Sequence, residues 1–169
     1  MAKVLRKRLH PVAGAAIVGL LCGYPPADAL AAASTTSIAV SATVNSACAT
    51  SSDSLPFGTY SGSQLRQTAT ISVTCTNTTY YNLGLDAGTT AGATVSSRKL
   101  SDGSGHTLSY ALYQDSGYSS NWGNTIGTDT QSGSGTGSAQ TLTVYGQIAG
   151  SQTPVAGRYT DTITAVVTY

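Results

Sequence analysis

Chemistry in this 169-residue chain would have to come from a short set of side chains. Beyond its basic start the chain has one histidine, His106, and no glutamate anywhere. His106 lies near Asp102 and among many serines, so a Ser–His–Asp relay can be drawn, with serine as nucleophile and histidine as base. Such a relay needs a rigid turn to present the nucleophile. No Gly-x-Ser-x-Gly elbow lies between a strand and a helix pattern. Ser132-Gly133-Ser134-Gly135 sits in flexible, linker-like sequence, the wrong setting for a fixed site. The chain therefore reads as a protein that is not an enzyme. Asp102, Ser104 and the nearby glycines resemble a fragment of a calcium loop, but the acidic ligands are too few, and the segment reads as a turn. No metal or other cofactor is expected.

Cysteine chemistry depends on where the chain goes. Lys3, Arg6, Lys7 and Arg8 form a positive start, Val12 to Cys22 runs apolar or small, and Ala29-Leu30-Ala31 fits a small-x-small cleavage pattern. The apolar run is well short of the roughly 20 residues a membrane-spanning helix needs. Residues 1–31 thus read as a secretory signal, with cleavage after Ala31, and no stable membrane insertion is expected. Leu21 precedes Cys22 where a lipoprotein would have a small residue, so Cys22 leaves with the leader. Cys48 and Cys75 remain in an oxidising compartment, and a disulfide between them is the natural pairing.

The 138 residues left (169 minus 31) suffice for one domain with one core. Four basic residues against six acidic ones give a net charge of −2. No cluster of Lys and Arg survives to displace counterions from nucleic acid. Thr, Val, Ser, Tyr and Gly abound while strong helix formers are nearly absent, which marks an all-β composition. The ten tyrosines suit half-buried sheet positions better than a sugar-binding surface.

Period-two alternation supplies the elements that would position all of these groups. Thr68–Thr76 places Ile71, Val73 and Cys75 on one face, and Tyr81, Leu83 and Leu85 repeat the pattern. A weaker strand near Ala93–Leu100 meets a turn at Asp102-Gly103, and His106–Gln114 follows with Leu108, Tyr110 and Leu112 on one side. Residues 115–137 read as a loop, strand character returns over Thr141–Ile148, and Tyr159–Tyr169 alternates to the end. Short strands at this spacing predict an antiparallel immunoglobulin-like sandwich. Before Cys48 lies one more alternating segment, with Ile38, Val40, Ala42 and Val44 sharing a face. It has no turn to fold it back, and the last strand has no successor. Two readings fit both ends: an ordinary first strand of a self-complete sandwich, or a sandwich one strand short whose exposed groove a neighbour's N-terminal strand fills, the donor-strand form of β-addition.

Several short motifs, in order, resemble the spore coat protein U domain family. They are Cys48 after the alternating strand, Leu55-Pro56-Phe57-Gly58-Thr59-Tyr60, Val73-Thr74-Cys75-Thr76, Arg98-Lys99-Leu100, Leu108-Ser109-Tyr110-Ala111-Leu112-Tyr113 and Trp122-Gly123. The ending Gly157-Arg158-Tyr159-Thr160-Asp161-Thr162-Ile163 completes the set. The resemblance implies a subunit of an archaic, Csu-type chaperone–usher pilus, or a spore or cell-surface coat protein. It implies a periplasmic chaperone, an outer-membrane usher and further pilin subunits as partners, with export through the periplasm to the cell surface and a role in adhesion or biofilm formation. Residues 32–47 would then be the donor extension, carrying Ile38, Val40, Ala42 and Val44, and residues 48–169 the domain. Ile163, Ala165 and Val167 would border the acceptor groove, where small Ala42 would occupy its pocket weakly. Trp122 takes a packing role, and Asn77-Thr78-Thr79, which fits a glycosylation acceptor, reads as incidental in this bacterial-style setting. A surface adhesin binding glycans through residues 115–137 is the competing expectation.

Overall fold

A computed structural model describes residues 32–169; the expected signal segment 1–31, with Cys22, lies outside the described residues. Alternation does what the period-two pattern requires, and every element among the described residues is a strand. These are β1 (Cys48–Ser52), β2 (Leu65–Cys75), β3 (Tyr80–Leu85), β4 (Arg98–Ser101), β5 (Thr107–Tyr113), β6 (Gln131–Ser134), β7 (Gln140–Ile148) and β8 (Ala165–Thr168). They form two antiparallel sheets, ordered β1-β2-β7-β5-β4 and β6-β3-β8. The inward positions Ile71, Val73, Leu83, Leu85, Leu108, Leu112, Val144 and Ile148 are buried and make one core between the sheets. This is an all-β immunoglobulin-like sandwich with a strand missing.

Three details depart from the pattern read in the sequence. First, Gly133-Ser134 belongs to β6 and not to a flexible linker, pairing Tyr81↔Gly133 and Tyr80↔Ser134. Glycine is required there because a Cβ on Gly133 would lie 2.5 Å from the Tyr81 ring. Second, the closing strand is shorter than its alternation suggests: only Ala165–Thr168 joins a ladder, with β3. Upstream, Thr160 bridges Ser101 at the edge of the other sheet, and the carboxylate of Asp86 accepts the Thr164 amide at 2.9 Å. Third, β1 pairs with β2 although CATSS has no apolar alternation; its inward anchor is a covalent one. Cys48 and Cys75 stand opposite each other in the ladder and are disulfide-bonded.

Behind the β4–β5 hairpin the core holds one cation. Arg98 is fully buried, and its guanidinium donates to the carbonyls of Asp86 (2.8 Å), Val95 (2.6 Å), Leu85 (3.0 Å) and Trp122 (2.6 Å). Burial lowers its pKa, opposed by the fields of Tyr110, Asp86, Asp129 and Asp161. Trp122, also fully buried, donates its indole N–H to the Leu83 carbonyl at 2.9 Å. These bonds tie the loop after β5 to the end of β3, so the packing role expected of Trp122 is what the structure displays.

Candidate functional site

Between the sheets lies a groove of about 1060 Å³. Its floor is apolar, built from Ile71, Leu85, Leu108, Leu112, Val144 and Ile148. Its walls are two segments that belong to no ladder: residues 53–60 on one side and residues 154–163 on the other. Each wall is held by specific contacts. Leu55 and Phe57 lie over Gly146 so closely that a Cβ there would meet them at 2.6 and 2.9 Å. Phe57 also stacks edge-on against Tyr110, with ring centroids 5.9 Å apart. Tyr60 accepts the Gln152 amide at 2.9 Å and donates to the Ala149 carbonyl at 3.0 Å.

The opposite wall is pinned by Asp161. Its carboxylate accepts the Tyr110 hydroxyl at 2.7 Å and the Thr89 amide at 2.9 Å. Burial first, then the bond to Asp161, pushes the Tyr110 phenol far above its ordinary pKa, so Tyr110 stays a donor. Past this wall, β8 has a partner on one side only, because the small sheet ends there. Its other edge offers unpaired backbone groups. An apolar floor, two unladdered walls and an open strand edge together can take an extended chain, binding it through main-chain bonds and alternate side chains.

The structure places the sequence-predicted residues unevenly around this groove. Ile163 and Ala165 line it, while Val167 packs on the core farther along β8 and is not part of the lining. Ile163 itself precedes the ladder. Residues 32–47 form no secondary structure, and Ile38, Val40 and Val44 are 84%, 90% and 83% exposed. Ala42 is exposed as well. The root of that segment is fixed: Ala47 donates its amide to Thr76 Oγ1 at 3.1 Å, and its carbonyl accepts the Thr76 amide at 2.9 Å. His106 meets Asp102 at 2.7 Å on an exposed turn, where Asp102 also caps the Ser104 amide. The bond to His106, then that cap, holds the Asp102 carboxyl below its usual range. Among the described residues no group of three metal-ligating side chains comes together, and no helix is long and apolar enough to cross a membrane.

Sequence reasoning missed Leu55, Phe57 and the Pro154–Tyr159 stretch as groove walls. Neither stretch alternates over a strand's length; the only signal was their isolated large side chains amid Gly, Ser and Thr.

A sandwich short of one strand, open along a groove, is thus the class of protein that fold and site define. The spore coat protein U domain model matches residues 34–166. Protein U of Myxococcus xanthus is 33% identical over 175 residues, covering 94% of this chain and 96% of the relative. The chain belongs to the spore coat protein U domain family. Its fold is similar to a crystal structure of the chaperone–tip adhesion subunit pre-assembly complex from the archaic chaperone–usher Csu pili of Acinetobacter baumannii. The likeness has a TM-score of 0.56 at 22% identity over 75% of this chain, which spans 40% of that chain's length.

Proposed function

We propose that this protein is the structural subunit of a surface fibre, assembled by donor-strand exchange. Residues 32–47 of one copy lie in the groove of the next, with Ile38, Val40, Ala42 and Val44 directed to its floor. Ile163 and Ala165 border the inserted strand, and β8 bonds to it, with Val167 continuing that edge. The observation that carries this reading is the coexistence, in one chain, of an apolar groove with an open edge and an unpaired extension of matching period. Burying three such aliphatic side chains contributes roughly 5–9 kcal/mol before ordering costs, and backbone pairing adds to it.

A periplasmic chaperone that lends a strand, and an outer-membrane usher that replaces it, fit the same groove. Family membership and the likeness to a chaperone-bound pilus subunit support that route, with export through the periplasm to the surface. Adhesion and biofilm formation are the roles such a fibre would serve. A cell-surface or spore coat is the second reading, favoured by the identity to Protein U, and it uses the same joint. The test is deletion of residues 32–47. The shortened protein should still bind a chaperone strand but should form no polymer; polymerisation at the parent's level would refute the reading.

A further inference from the structure

The outer face of the five-stranded sheet, turned away from the groove, carries a set of aromatic rings beneath a cation. Arg66, Thr68, Tyr145, Gln147 and Tyr113 share this face, because Ile71, Val144 and Leu112 on the same strands point inward. The ladders set Thr68 opposite Tyr145 on one side and Tyr113 opposite it on the other, with Arg66 beside Gln147 one row away. Tyr118 joins them from the turn after β5. Its ring centroid lies 5.6 Å from that of Tyr113 and 6.1 Å from that of Tyr145, both pairs meeting edge to face. The guanidinium carbon of Arg66 stands 4.1 Å from the centre of the Tyr118 ring.

Tyr118 reaches that place through a strained backbone, with φ 57°, a left-handed conformation that bulky side chains seldom adopt. Asp115 holds the turn in this shape. Its carboxylate accepts the amides of Ser119 (3.1 Å) and Ser120 (2.7 Å) and the Ser119 hydroxyl (3.0 Å), and its carbonyl accepts the Tyr118 amide at 3.1 Å. Arg66 is exposed, and none of its N–H groups is taken by a carboxylate or a hydrogen bond among the described residues. A planar guanidinium held over a ring with its donors free is preset to grip a carboxylate through two parallel bonds. We propose that this face binds an acidic polysaccharide, a uronate polymer, with one carboxylate on Arg66 and the adjoining sugar rings against Tyr113, Tyr118 and Tyr145. The negative faces of the phenol rings attract the C–H groups of a sugar, and Gln147 and Thr68 offer amide and hydroxyl partners to its hydroxyls. Nucleic acid would need clustered Lys and Arg, and an acidic peptide needs no row of rings beside the cation. The site lies on the side of the sheet away from the groove, so it stands or falls apart from the donor-strand reading.

Calorimetric titration of the full secreted protein with a short oligogalacturonate tests the assignment. Its fully methyl-esterified form serves as the neutral twin, and poly-aspartate as an acidic chain without sugar rings. The acid should bind about tenfold more tightly than either, the worth of one charge-assisted pair. Arg66→Gln should lose that advantage, and Arg66→Lys, which keeps the charge without the planar fork, should recover only part of it. Tyr118→Asn, which tolerates φ 57° but has no ring, should weaken the acid about fivefold. Lys99→Gln, which removes a cation from the edge strand β4 of the same sheet, should leave binding unchanged. Unaltered Trp122 fluorescence shows that each variant is folded. No binding of the acid, equal binding of acid and ester, or equal losses in Arg66→Gln and Lys99→Gln would overturn the proposal. Poly-aspartate binding as tightly as the acid would overturn it in favour of an acidic peptide. Parental binding by Tyr118→Asn would take the rings out of the site, and the sugar with them.

Discussion

Replacing Val40 with serine separates donor insertion from ordinary surface chemistry. Val40 is 90% exposed in the extension, so seating it in the groove would remove nearly the whole side chain from water. That burial is worth about 1.5–3 kcal/mol, and serine forfeits most of it. The hydroxyl would face the apolar floor of the groove, and an unpartnered polar group there costs about 1–3 kcal/mol more. The joint should weaken by about 3–5 kcal/mol, roughly two to three and a half powers of ten in its equilibrium constant. Surface-sheared material run without boiling, across a series of incubation temperatures, reads the joint directly. The Val40→Ser ladder should collapse to monomer at a clearly lower temperature than the parent's, or be absent. Ala39→Ser, one residue away on the opposite face, should match the parent. Equal melting of Val40→Ser and parent, or equal loss in both variants, would refute the argument, because an alternating strand cannot be indifferent to face.

The remaining predictions concern the domain. Arg98→Met removes the donors from four carbonyls, those of Leu85 and Trp122 in fully buried bonds, and should cost about 3 kcal/mol or more in urea unfolding. Trp122, the single tryptophan and fully buried, reports that transition by fluorescence. Tyr110 has its folded pKa raised above the unfolded value, so its contribution is complete below about pH 10 and fades as pH rises further. Ultraviolet alkaline titration should therefore show Tyr110 ionising late, as the domain unfolds, and Tyr110→Phe should remove that contribution from the late part of the curve.

Much of the fold was legible because the central strands obey a simple rule. Ile71-Val73-Cys75, Leu83-Leu85 and Leu108-Tyr110-Leu112 alternate cleanly, and the structure buries those faces. The hairpin at Asp102-Gly103 was equally readable, with Ser101 paired to Thr107. Edge elements were not. β1 owes its place to the Cys48–Cys75 bridge, and β6 to a glycine beneath the Tyr81 ring; neither cause shows in periodicity. Tyr159–Thr164 alternates yet stays outside a ladder, held by Thr160–Ser101 pairing and side-chain carboxylates. Arg98 gave no local warning of burial, since three of its four carbonyl partners, on Leu85, Asp86 and Trp122, lie 12 to 24 residues away in the chain. Of the three border residues expected from the sequence, Ile163 and Ala165 line the cavity and Val167 does not, and the wall at residues 53–60 carried no periodic signal.

The position of the disulfide has a mechanical consequence for any fibre built this way. Tension entering through residues 32–47 first meets β1, a strand bonded on one side only. Such a strand would peel away bond by bond. Because Cys48 opens β1 and is joined to Cys75 at the end of β2, the load passes covalently to a strand flanked on both sides, by β1 and β7. The β2–β7 ladder, paired from Leu65↔Ile148 to Val73↔Gln140, is then pulled lengthwise, and its bonds resist together.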